Sequence, residues 1–150
     1  MSNIKHKDKD KIKEKNIASN AIELNCPNHP VFCFKYITTN SRYNYGYFGK
    51  KQRVEKLNCI ESLFSKIEEW TNGSWKEMFA KPKQTGIETI VYGDITFESK
   101  VCNNFSLAKD TKIIIMRYNS SNQRILGVKR DKCPIFHIIG YDFDFSAYNH

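Results

Sequence analysis

Several things are missing from this chain. No apolar run approaches the roughly eighteen residues of a membrane span, so no membrane partner is expected. The Lys-rich start lacks the apolar core of a secretory signal, which predicts a cytoplasmic protein. No Gly-rich phosphate loop, Ser-centred elbow or His-Glu helix motif is present, and Gly93 and Gly127 stand alone. That argues against the common nucleotide hydrolases and zinc proteases. The five cysteines are an odd number in a chain with no secretion signal, so reduced thiols are expected rather than a disulfide framework. No repeat or linker argues for a second domain, and no cofactor is implied.

What is present is positive charge. The formal net charge is +8 over 150 residues. Lys5, Lys7, Lys9, Lys11, Lys13 and Lys15 against Asp8, Asp10 and Glu14 give the first fifteen residues +3 of it. A second concentration runs through Lys109, Lys112, Arg117, Arg124, Lys129, Arg130 and Lys132, opposed by Asp110 and Asp131. Basic patches favour polyanions through counterion release, which makes RNA or another polyanion the expected partner. Residues 1–20 lack an apolar stripe that would repay the entropy of ordering and read as a flexible basic tail. Residues 21–150 read as a single α+β domain.

Within that domain, Pro27 and Pro30 flank a turn that leads into an extended run, Val31 to Thr38, expected to lie deep in a sheet. An aromatic, Gly-punctuated loop follows at 40–50. From Lys51 to Thr71 the period becomes helical, with Val54, Leu57, Ile60, Phe64, Ile67 and Trp70 on the apolar stripe. Asn72-Gly73 ends this helix, Ser74-x-x-Glu77 has capping-box spacing for a short second one, and Pro82 stops that. Residues 86–98 suggest one interrupted strand or two short ones. Lys112–Tyr118, Arg124–Lys129 and Ile135–Tyr141 then form a C-terminal β-meander. The expected class is α+β: a mainly antiparallel sheet with one long and one short helix on one face.

Candidate chemistry gathers in the meander. Alternation puts Ile113, Ile115 and Arg117 on one face of the first strand and His137 among apolar neighbours on the last. A symmetric turn would bring Gly127 beside His137 and leave a gap at the imidazole. Next to Arg117 or Arg124, such a histidine is a candidate acid or base with a cation for phosphate charge. The alternative is a buried strand histidine bonded to backbone. His29 is a second candidate, with turn capping as its plainer role. Cys26-x2-His29-x3-Cys33 has metal-like spacing but lacks the second ligand pair of a zinc finger, and no metal site is assigned. Tyr45 and Tyr47 could stack bases beside Lys50, Lys51 and Arg53, with Lys129 and Arg130 extending the basic surface.

The pieces His29-Pro30-Val31-Phe32-x-Phe34-Lys35-Tyr36, Arg124-Ile125-x-Gly127, Phe136-His137-Ile138, and Asp142 with Tyr148-x-His150 resemble a family of short bacterial proteins of unassigned function found near mobile elements. The closing strands, with Arg117, Arg124 and the late Tyr148, are also loosely similar to RelE-like messenger-RNA endonuclease toxins. That resemblance implies a metal-independent endoribonuclease of toxin or phage-defence type, with Arg117 and Arg124 on phosphate, Tyr148 orienting the site and an antitoxin as possible protein partner. The other expectation is a non-catalytic interaction module that uses the aromatic loop and the basic sheet face.

Overall fold

A computed structural model describes residues 28–50, 53–83, 85–100, 106–118 and 122–149. The expected basic tail, Cys26, Lys51 and His150 lie outside these residues, as does the side chain of Lys50. The described strands and α-helices are β1 (Val31–Cys33), α1 (Arg53–Thr71), α2 (Trp75–Ala80), β2 (Ile87–Val91), β3 (Lys112–Tyr118), β4 (Gln123–Lys129) and β5 (Ile135–Asp142). The strands form one five-stranded sheet in the order β1-β5-β4-β3-β2. Only β1–β5 is parallel, and the other pairings are antiparallel. The class is α+β, and β3-β4-β5 is the expected meander.

The sheet is covered on both faces, which is why its central strands read as near-continuous apolar runs rather than alternating ones. On one face Leu63, Trp70, Trp75 and Met78 of the two helices pack with Phe48 on Met116, Ile125, Phe136 and Ile138. On the other, Tyr43, Phe97 and Tyr148 from irregular segments close over Ile113, Ile115, Leu126 and Ile139. Each large side chain buried this way contributes roughly 1.5–3 kcal/mol. Ser74 and Glu77 form the capping box at the start of α2, and both reciprocal bonds are made. Among the described residues no helix is long and apolar enough to cross a membrane.

Two expectations are corrected. The run Val31 to Thr38 is not a deep strand: only Val31–Cys33 pairs, at the sheet edge, and Phe34 is exposed. The physical reason is a bulge in β5. Leu126 pairs with Gly140 and Gly127 with Ile138, so Ile139 is the extra residue. Its carbonyl accepts the Thr38 N–H at 2.7 Å, so the chain rejoins the sheet there after turning away at Lys35–Tyr36. The helical stripe holds at Ile60, Ile67 and Trp70, which pack on the core, and fails at its other three positions. Cys59, Leu63 and Trp70 are buried, whereas Val54, Leu57 and Phe64 face outward, Phe64 being 59% exposed.

Candidate active site

Four side chains meet on the helix-free face of the sheet. Glu88 sits on β2 opposite Ile115 of β3. Arg117 of β3 is directly across from Arg124 of β4, which is in turn across from Asp142 of β5. Two like charges directly opposed on one sheet face repel, and the Glu88 carboxylate offsets this. Its Oε2 lies 2.9 Å from Arg117 Nη2, and its Oε1 lies 3.8 Å from Arg124 Nε. The Tyr148 hydroxyl donates to the same Oε1 in a short hydrogen bond. Arg117 and Glu88 keep some solvent access, while Arg124 is 1% exposed.

The chain after β5 folds back to complete this cluster. Both oxygens of buried Asp142 are used as acceptors, one for the Ser146 N–H at 2.9 Å and the other for the Ala147 N–H at 3.2 Å. Those bonds turn the chain so that Tyr148 bridges to Ile95. Phe145 adopts a left-handed backbone with φ 63°, a conformation that costs a bulky residue roughly 1–2 kcal/mol. Its ring lies 4.1 Å from the Arg124 guanidinium carbon, a cation–π contact of comparable size when desolvated. A second donor, Arg124 Nη1, bonds the Asn122 carbonyl at 3.1 Å. The Nε atoms of Arg117 and Arg124 are buried without a hydrogen bond among the described residues.

The cluster's ionisation follows from these contacts. Burial alone would push the Glu88 carboxyl up, but the hydrogen bonds from Tyr148 and Arg117 and the two guanidinium charges outweigh it. The result is a pKa below 4.5. Tyr148 moves the other way, raised chiefly by burial and then by its bond to Glu88, so its hydroxyl stays protonated. An ionised carboxylate, two guanidiniums and a phenol therefore share one small site.

His137 is not part of it. It pairs with Val128, four residues along β4 from Arg124, or about 13 Å at the usual strand rise. The expected gap at Gly127 is also absent. A Cβ there would lie 2.5 Å from both the His137 carbonyl oxygen and Cζ of the buried Phe136 ring, which fills the space. His137 instead lines a separate hollow of about 620 Å³ at the β4–β5 turn, with Tyr36, Lys112, Lys129, Arg130 and Cys133. Burial, and secondarily the charge of Arg130, holds its imidazole below the ordinary value.

The remaining candidates fall elsewhere. His29 Nδ1 lies 2.8 Å from the Gly73 carbonyl oxygen, so the imidazole ties the first turn to the end of α1. The Tyr45 ring packs on Tyr141, with the two hydroxyls hydrogen-bonded at 2.8 Å. Tyr47 packs against Phe48 and Phe143. These tyrosines stabilise the helix-bearing face at the far end of β5 from Lys129, whose strand partner is Phe136, and Arg53 is exposed at the start of α1. The aromatic loop and the basic turn therefore do not form one surface. Lys129 Nζ lies over the Trp75 ring at 5.4 Å and donates to the Arg130 carbonyl. Cys33, Cys59 and Cys133 are free thiols. Among the described residues no three His, Cys, Asp or Glu side chains converge as metal ligands.

Glu88 was the residue that pattern reading missed. Its one signal is a lone carboxylate at the second position of Ile87-Glu-Thr-Ile-Val, where a strand flanked by sheet on one side leaves it a partner or a heavy desolvation cost. Comparison with protein-family models, curated proteins and solved structures finds no match, so the site is read from its own chemistry.

Proposed function

We propose that the protein engages RNA and cleaves it without a metal ion, with Glu88 as the general base. The observation that carries this reading is the Glu88 carboxylate held between Arg117, Arg124 and the Tyr148 hydroxyl. RNA supplies its own nucleophile, the 2′-hydroxyl. Glu88, ionised at neutral pH, takes that proton, and the 2′ oxygen attacks the adjacent phosphorus. The guanidiniums stabilise the charge that grows on the phosphate oxygens. Tyr148 holds Glu88 in place; as the P–O5′ bond breaks it passes its proton to the departing 5′ oxygen and regains one from the Glu88 that has just been protonated. The net charge of +8 favours a polyanionic substrate.

The test is a quenched fluorescent RNA oligonucleotide incubated with the full chain in excess EDTA. The expected result is cleavage that leaves 2′,3′-cyclic phosphate ends and spares DNA of the same sequence. Glu88→Gln should lower the rate by about 10²–10⁴-fold, the usual worth of a general base, with an unchanged circular dichroism spectrum. Absence of cleavage by the native chain, or equal rates in the variant, would overturn the assignment. A chain that binds RNA with steep salt dependence and never turns it over is instead the interaction module.

A further inference from the structure

The two edges of the sheet are finished differently. β1 ends its edge in three residues, Val31–Cys33, directly after Pro30, and a short strand beside a proline is a common defence against further pairing. β2 has no such guard. Its five residues, Ile87–Val91, contain no proline or lysine, and the one charge, Glu88, is turned to Arg117 on the helix-free face. The direction of its backbone follows from a single hydrogen bond. The Tyr92 N–H donates to the Thr111 carbonyl at 2.8 Å, one step beyond the Val91–Lys112 pair. Backbone groups alternate in direction along a strand, so those of Glu88 and Ile90 point to β3 and those of Ile87, Thr89 and Val91 point out of the sheet. Among the described residues these outward groups have no hydrogen-bond partner. The same three side chains share the helix-bearing face with Ile114 and Met116. At this edge the helices do not cover the strand: Thr89 and Val91 are exposed, Phe79 of α2 is 51% exposed, and a hollow of about 290 Å³ opens between Phe79, Thr89 and Ile114.

We propose that β2 pairs antiparallel with β2 of a second copy of this chain, about a two-fold axis at Thr89, joining two five-stranded sheets into one. Antiparallel pairing sets outward residues against outward residues. The register with Thr89 against the partner's Thr89, and Ile87 against the partner's Val91, uses every outward group. It also opposes β-branched side chains, which stabilises a sheet. The neighbouring register on one side opposes the two Glu88 carboxylates directly, which is unfavourable, and the one on the other side leaves the outward groups of Ile87 unpaired. Charge selects a second copy as the occupant. Lys83 lies in the turn before the strand and Asp94 in the short turn after it, and both are exposed. An antiparallel copy brings each lysine towards the other chain's aspartate, whereas a parallel one sets like charges together. The contact closes at two subunits, because the blunted β1 edge cannot repeat it. It is independent of the Glu88 chemistry.

The experiment is sedimentation velocity of the full chain over a concentration series, with light scattering to give the mass. The expected result is a monomer–dimer equilibrium with a dissociation constant of about 10 μM, in keeping with an interface at the low end of the size range. Thr89→Glu puts two carboxylates in direct opposition across the axis, yet in the monomer its side chain lies beside Lys112. It should keep the native circular dichroism spectrum and raise the dissociation constant about tenfold or more. Lys83→Glu and Asp94→Lys should each weaken the dimer, and the two together should restore it, a response expected only of a chain that meets its own copy head to tail. The proposal is overturned by a native chain that stays monomeric to about 100 μM, by assembly that grows past two subunits, or by a dimer that Thr89→Glu leaves intact. Charge reversals without effect, or a double variant no tighter than the single ones, would overturn the antiparallel register.

Discussion

Gly127→Ala tests the packing of the Phe136 ring against β4. A methyl group at this position would sit 2.5 Å from the His137 carbonyl oxygen and 2.5 Å from Cζ of Phe136, both well inside van der Waals contact. Neither neighbour can move easily. The carbonyl belongs to the backbone of the adjacent paired strand. The Phe136 ring is fully buried and makes an edge contact with Phe32 at 5.8 Å and a tilted one with Trp75 at 5.9 Å. Overpacking of this kind costs about 1–3 kcal/mol, and a backbone obstacle on one side with a locked ring on the other puts Gly127 at the upper end. No described glycine has a positive φ, so alanine also removes some unfolded-state entropy, offsetting roughly 0.4–1 kcal/mol. The net loss is about 2 kcal/mol, or roughly 4–8 °C in Tm for a domain of this size. Gly49→Ala is the control, because a Cβ there meets nothing within 4 Å; it should be neutral or slightly stabilising. Urea melts and thermal scans of the two variants are compared under one condition. If Gly127→Ala is as stable as Gly49→Ala, the Phe136 ring does not fill that space.

Glu88 should also be visible in acid unfolding. Its pKa is lower in the folded chain than the unfolded value of about 4.5, so its contribution is fully present above that pH and is lost as the pH falls through the folded value. Native stability should therefore drop on acidification below about pH 4.5, and the slope over that range should be shallower in Glu88→Gln; identical slopes in denaturant melts would show that the carboxylate is not held as described. Adjacent positions in α1 should behave oppositely. Leu63, 1% exposed in the core, should cost about 2–5 kcal/mol when changed to alanine, whereas Phe64→Ser should stay within about 0.5 kcal/mol, and a reversed order of the two Tm values would mean that the helix is rotated on the sheet.

The parts of the fold that pattern reading recovers are those set by local chemistry. The runs Lys112–Tyr118 and Ile135–Asp142 are rich in Ile and aromatics and can be little else but strands. The capping box needs only Ser74 and Glu77 three residues apart. The rotation of α1 is not local in this sense. Its sequence carries two overlapping apolar lines, one through Leu57, Ile60, Phe64, Ile67 and Trp70 and one through Cys59, Leu63 and Trp70. Periodicity weighs them by hydrophobicity and favours the first. The sheet centres the buried face on the second, where the Trp70 ring meets Phe32 at 6.2 Å and the Cys59 thiol reaches Gln123 at 3.0 Å, keeping Ile60 and Ile67 at its margin and leaving Leu57 and Phe64 outside.

The site divides along the same line. Arg117, Arg124 and Tyr148 belong to the meander and its return, where short connections hold the register, and their meeting could be expected from their order alone. Glu88 joins them only through β2–β3 pairing, across the twenty residues between Val91 and Lys112. No turn of defined geometry spans that distance, so pattern gives no register and cannot say that Glu88 and not Thr89 faces the arginines. For His137 the failure is one of direction. The hairpin through Arg130–Pro134 was expected to close nearly where it does, but a strand histidine close to that turn is necessarily far from an arginine at the other end of β4. Distance along the strand, not identity of the residues, is what separates His137 from the guanidiniums and leaves the carboxylate of Glu88 as the group in reach of a phosphate they would hold.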